Sequence, residues 1–169
     1  MVLDRLNIQR TDIIGWSDGG IIALLLGLEA PHRVGKIVAI SANFHPSGLI
    51  QATDHTLSEP ISNQQHQIID WLRSWWSGAG EKHPALEAEI KALWQIAPLF
   101  EHADLRAITA PTLVIAGEND IITLPHSGEL AQMLANAKIE IVLGAGHAAP
   151  VTHAQQINQL IASFLGLSS

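Results

Sequence analysis

The chain contains no cysteine among its 169 residues. Disulfide bonds, thiolate metal sites and a cysteine nucleophile are therefore excluded, and a reducing compartment is the natural fit. Positive charge is scarce as well: nine Lys plus Arg face sixteen Asp plus Glu, for a formal net charge of −7. With no basic run or stripe, a nucleic-acid partner is disfavoured. Long hydrophobic runs are lacking too. The longest, from Ile21 to Leu28, is interrupted by Gly27 and stops at Glu29, far short of the roughly 20 apolar residues that cross a bilayer. The opening segment, MVLDRLNIQR, has no apolar core of signal-peptide length. A cytoplasmic protein free of the membrane is expected. The nine histidines are scattered, without H-E-x-x-H or a comparable ligand spacing, so neither a metal nor a cofactor is expected.

What remains is ordinary globular material, 47% apolar, in a chain long enough for one domain with a sizeable core. Short apolar runs alternate with helix-like segments. Leu3, Leu6 and Ile8 have the spacing of the last turns of an amphipathic helix. Residues 12–16 (DIIGW), 36–41 (KIVAIS) and 112–117 (TLVIAG) read as buried strands, and residues 139–143 (IEIVL) as a further strand. Helices are expected over residues 18–30, 127–135 and 154–165, the first ending at Pro31. Continuous apolar strands separated by helices imply an α/β architecture: a mostly parallel sheet with helices on both faces. Residues 45–108 differ in character, holding Gln, His, Ser and four of the five tryptophans, with helical spacing over residues 61–76 and 84–94. They read as a helical cap inserted into a core made of residues 1–44 and 109–169. Such an insertion would sit over the carboxyl ends of the strands, where open α/β sheets place ligands.

Gly15-Trp16-Ser17-Asp18-Gly19 matches G-x-S-x-G and lies between a strand and a helix, the context of a nucleophile elbow. A tight, strained turn there pushes the Ser17 hydroxyl to the top of the sheet, and the flanking glycines remove Cβ atoms from the crowded turn. The following helix aims its N-terminal amides at whatever the hydroxyl attacks, which makes the Asp18 N–H one oxyanion donor. The bland alternative is a plain strand–turn–helix junction. A serine hydroxyl needs a base, and the base needs an acid to fix its tautomer. Asp120 follows the TLVIAG strand and His147 the IEIVL strand, so both loops open on the same edge as Ser17. Asp120 alternatively caps the next helix, and Glu118 is a rival acid. No acid follows KIVAIS, where Ser41-Ala42-Asn43 stands. His147 is favoured among the histidines because Gly144 and Gly146, just before it, allow a mobile, tightly turned loop; His32, His83 and His126 read as solvated.

Three stretches, DIIGWSDGGIIALLLG, APTLVIAGENDIITLP and GAGHAAPVTHAQQINQLIASFL, together resemble the α/β-hydrolase superfamily. The resemblance implies a partial α/β-hydrolase fold and a Ser17–Asp120–His147 triad that hydrolyses carboxylic esters or related acyl compounds. The elbow GWSDGGIIAL is especially similar to valacyclovir-hydrolase-like (biphenyl-hydrolase-like) serine esterases, in which the acid after the serine is associated with a substrate α-amino group. Asp18 then becomes a substrate contact; the plain reading is a favourable acid in a helix's first turn. Trp16, Trp71 and Trp75, with Trp76 and Trp94, are candidates to line an acyl pocket, or simply to hold cap helices together. Full-length members carry a long segment before the elbow, including an H-G loop that supplies a second oxyanion donor. Neither is recognisable here, so the elbow strand is expected at a sheet edge, open to another copy or a complementing chain. Weak or absent turnover by the chain alone is expected, and a non-catalytic remnant or interaction module is the alternative.

Overall fold

The computed structural model describes residues 2–49 and 84–167. The chain divides into two compact units, Met1–Ile50 with Pro98–Ser169, and Gln51–Ala97. In the second, the described element is the helix Pro84–Ile96. The expected helix over residues 61–76 lies outside the described residues, as do Trp71, Trp75 and Trp76.

The first unit is built on a sheet of four strands, all parallel, in the order β1 (Thr11–Trp16), β2 (Val34–Ile40), β3 (Thr112–Asn119) and β4 (Ala137–Gly146). Helix α1 (Val2–Arg5) precedes it, and α2 (Asp18–Glu29) links β1 to β2. Numbering the helix of the second unit α3, the remaining helices are α4 (His102–Ala107), α5 (Leu124–Met133), α6 (Ala149–Thr152) and α7 (Ala154–Leu165).

Alternate residues of the central strands feed two separate cores. Ile37, Ala39 and Val114 face Ala23 and Leu24 of α2, Leu105 of α4, and Leu130 and Met133 of α5. Val38, Ile40, Leu113 and Ile115 face the other way, with Val142, Ala149 of α6 and Ile157 of α7; Leu160, Ile161 and Phe164 close that layer. Strands with no polar alternation are apolar on both sides because helices cover both sides. Each fully buried Leu or Ile in these layers contributes about 1.5–3 kcal/mol of transfer free energy. The Lys36 ammonium closes the bottom of the sheet by donating to the carbonyls of Phe164 and Leu165 at 2.9 and 3.2 Å, where a cation also meets the negative end of α7.

Several expectations need correction. The amphipathic helix ending near Ile8 is a single turn with no buried residue, and Leu6 is exposed. Helix α5 begins at Leu124 rather than Ser127, because Pro125 fits the first turn, where an amide is not needed. DIIGW is not fully buried: among the described residues β1 and β4 are the sheet's two edges, and Ile14 on β1 is exposed, as are Ile141 and Leu143 on β4. The edge position of β1 is the one expected for the elbow strand. Strand β4 also runs three residues beyond Leu143, through a bulge. Gly117 and Asn119 of β3 pair with Val142 and Gly146, so four steps on β4 match two on β3. Gly144 takes φ 72° to make this turn.

The bulge packs its backbone onto Gly117. A Cβ there would lie 2.5 Å from the Ala145 carbonyl oxygen and 2.8 Å from that of Gly146, too close for either backbone to accommodate without moving. Gly117→Ala is therefore expected to lower stability by about 1–3 kcal/mol, in line with overpacked sites. A urea midpoint unchanged from that of the unsubstituted protein would contradict this packing.

Candidate active site

Because the strands are parallel, their carboxyl ends share one edge of the sheet. Ser17 immediately follows β1, Ser41 follows β2, Asp120 follows β3 and His147 follows β4. The structure brings all four side chains into one hydrogen-bonded chain. His147 Nε2 lies 3.0 Å from Ser17 Oγ, and His147 Nδ1 lies 2.8 Å from Asp120 Oδ1. The Ser41 hydroxyl donates to Asp120 Oδ2 at 2.5 Å, and the Ile122 amide donates to Asp120 Oδ1 at 3.1 Å.

Ser17 has φ 55° and ψ −124°, a conformation that non-glycine residues hold only when their surroundings impose it. The surroundings are visible. The Ser17 N–H donates to the Ile40 carbonyl at 2.9 Å, and its carbonyl accepts from Gly20 at 2.9 Å. A Cβ on Gly15 would drive into the Gly19 carbonyl, which explains the first glycine of the motif. The expected need for Gly19 is not borne by the geometry: a Cβ there meets nothing within 4 Å. The glycine that the turn requires instead is Gly20, whose Cβ would lie 2.8 Å from that of Ala42.

Trp16 holds the turn from below. Its indole N–H donates to the His147 carbonyl at 2.8 Å, and its ring packs with the apolar layer around Val38 and Ile40. It thus ties the serine's strand to the histidine's loop. Asp18 stands exposed in the first turn of α2. Trp94 lies on α3 in the second unit.

The rival acid Glu118 is spent elsewhere. Its carboxylate accepts from the Gly144 amide at 2.8 Å, on the outer side of the bulge. Asp120 is nearly inaccessible, at 3% exposure. Burial alone pushes its carboxyl up, but the bond and charge of His147, then the Ser41 hydroxyl and the Ile122 amide, together hold it below the ordinary carboxylate value.

His126, read from sequence as solvated, is buried. Its ring stacks on Phe44 with centroids 3.9 Å apart, and its Nε2 accepts the Phe44 amide at 3.2 Å. Burial pushes this imidazole down; His45 adds to that and Glu129 opposes it. A neutral ring is needed, since only an unprotonated Nε2 accepts. The ring thereby fixes the segment that follows Ser41. No local pattern around His126 announced this, because its partners lie about 80 positions away. Among the described residues no cluster of three or more His, Asp or Glu is arranged to hold a metal ion, and no helix is long and apolar enough to cross a membrane.

Against known proteins, residues 2–160 match the Alpha/beta hydrolase family. The chain belongs to that family. It is 31% identical to the 2-hydroxymuconate semialdehyde hydrolase of Pseudomonas putida, over 97% of this chain and 65% of that protein. It is 30% identical to the pimeloyl-[acyl-carrier protein] methyl ester esterase of Nitrosomonas europaea, over 88% of this chain and 68% of the relative. Among solved structures, a meta-cleavage product hydrolase from Pseudomonas fluorescens superposes with a TM-score of 0.75 at 18% identity, covering 98% of this chain and 68% of that one. The chain thus spans about two thirds of the length of these family members, and the shared fold is the α/β-hydrolase fold.

The lowered Asp120 carboxyl sets a pH dependence. Its ionisation contributes stability that is fully present above the unfolded-chain value of about 3.9 and is lost as pH falls through the lower folded value. Asp120→Asn is expected to flatten that part of the profile. Urea unfolding at a series of pH values checks it; equal acid slopes for both proteins would refute the assignment.

Proposed function

We propose that this family member is a serine hydrolase acting on carboxylic esters or related acyl compounds through Ser17, His147 and Asp120. The observation that carries this reading is the unbroken relay from the Ser17 hydroxyl to His147 Nε2, and from Nδ1 to the buried Asp120 carboxylate.

In this mechanism the Ser17 Oγ attacks the acyl carbon while His147 Nε2 takes its proton. Asp120 keeps the other nitrogen as the donor and stabilises the imidazolium that forms. The developing oxyanion points toward the start of α2, where the Asp18 amide and the positive end of the helix favour negative charge. His147 then returns the proton to the leaving alcohol, which departs as the acyl–Ser17 ester forms. Water, deprotonated by His147, attacks that ester and releases the acid and the serine. The same two nitrogens serve both halves, so no further base is required.

The Asp18 side chain sits one residue from the nucleophile. The elbow's resemblance to amino-acid-ester hydrolases supports substrates with an ammonium near the acyl carbon. Trp71 and Trp75, in the proposed cap, and Trp16 remain candidates for acyl contacts. The Pseudomonas putida relative's name points to 2-hydroxymuconate semialdehyde as a second substrate type, one the same serine could attack at a carbonyl carbon.

A fluorophosphonate is expected to label Ser17 in the folded protein, and Ser17→Ala to abolish both labelling and hydrolysis of short-chain chromogenic esters. Asp120→Asn is expected to slow turnover by about 10⁴-fold, since the wrong imidazole tautomer is then favoured. An amino-acid ester, a simple acyl ester and the semialdehyde, assayed side by side, separate the substrate readings. Folded protein that leaves Ser17 unlabelled would overturn the hydrolase assignment and favour a non-catalytic module.

A further inference from the structure

Among the described residues, three non-glycine residues have positive φ: Asn7, Ser17 and Ser41. Asn tolerates that region, and Ser17 is the proposed nucleophile. Ser41, at φ 51°, is the outlier that the hydrolase reading does not use. A serine held there is strained, and such strain persists only where the surroundings over-determine it.

Its surroundings repeat those of Ser17, one strand over. The Ser41 N–H donates the last rung of β2 to the Ile115 carbonyl at 2.8 Å, as Ser17 N–H donates to Ile40 at 2.9 Å. From this position of positive φ the Ser41 side chain reaches Asp120. Ser41 and Asp120 are both almost fully buried, at 2% and 3% exposure. Asp120 Oδ2 takes the Ser41 hydroxyl, while Oδ1 takes the Ile122 amide and His147 Nδ1. A carboxylate held only at Oδ1 would still rotate about its Cβ–Cγ bond. A donor on each oxygen fixes its plane.

We propose that Ser41 is a positioning residue for the acid: its hydroxyl anchors Asp120 Oδ2 so that Oδ1 stays aimed at His147. The proposal rests on the hydrolase reading for its catalytic meaning, but the coupling of Ser41 to Asp120 is measurable without turnover. The strained backbone and the hydroxyl are separable by substitution. Ser41→Ala removes the hydroxyl and keeps the strain; Ser41→Gly removes both.

The experiment follows the Asp120 carboxyl carbon by NMR through a pH titration, in the unsubstituted protein and both variants, alongside the rate of fluorophosphonate labelling at Ser17. Loss of a donor to the ionised carboxylate raises its titration midpoint. Both variants are therefore expected to titrate higher than the unsubstituted protein and to label about tenfold more slowly, the scale of one hydrogen bond to a charged group. A midpoint that stays put in the folded variants overturns the proposal. A shift in folded Ser41→Ala but not in folded Ser41→Gly, or the reverse, also overturns it, because backbone conformation rather than the hydroxyl would then control the acid. If the unsubstituted protein fails to label while the Asp120 midpoint still responds to both substitutions, the hydrolase reading falls and the Ser41–Asp120 coupling stands.

Discussion

The constraint on which this molecule depends is the parallel alignment of four strands, which places their carboxyl ends along a single edge. Each strand hands the chain to one polar residue at that edge: Ser17, Ser41, Asp120 and His147. An antiparallel strand at any of the four places would put its terminal residue on the far side of the sheet. That alignment, enforced by the two apolar layers, gathers the four polar groups on one edge.

The alignment alone does not close the relay. Ser17 leaves β1 and His147 leaves β4, at opposite edges of the described sheet, yet their side chains meet at 3.0 Å. Two features bridge the gap. The bulge through Gly144 redirects the end of β4 over Gly117 of β3, and Trp16 pulls the His147 carbonyl toward β1. Glu118 holds the outer side of the same bulge through the Gly144 amide. The rival acid is therefore part of the scaffold that positions the histidine, while the acid two residues later is turned inward by its own bond to the Ile122 amide.

Much of this was legible in sequence because it is local. Continuous apolar runs such as KIVAIS and TLVIAG mark strands covered on both faces, and the serine, acid and histidine each follow such a run by one or a few residues. The elbow's glycines were legible as a group but not individually, since the partner that excludes a Cβ on Gly20 is Ala42, on a different strand's exit. The bulge was not legible: IEIVLGAG carries no signal for how many residues slip past β3. Burial of His126 was equally hidden, because it depends on a stacking partner, Phe44, that only the closed sheet brings near.

Ser41 shows why the nonlocal part matters chemically. In sequence the position was notable only for lacking an acid. In the structure its hydroxyl is one of the donors that offset the burial of Asp120. A buried carboxylate with too few donors would take up a proton and stop supporting an imidazolium; one with donors on both oxygens remains charged and fixed in orientation. Ser17 and Ser41 both have positive φ at neighbouring strand ends, 55° and 51°, but they differ in what their hydroxyls meet. One faces a nitrogen that can remove its proton, and the other faces a carboxylate that only accepts. That difference in partner, rather than in residue type, separates the group suited to attack from the group suited to hold the acid in place.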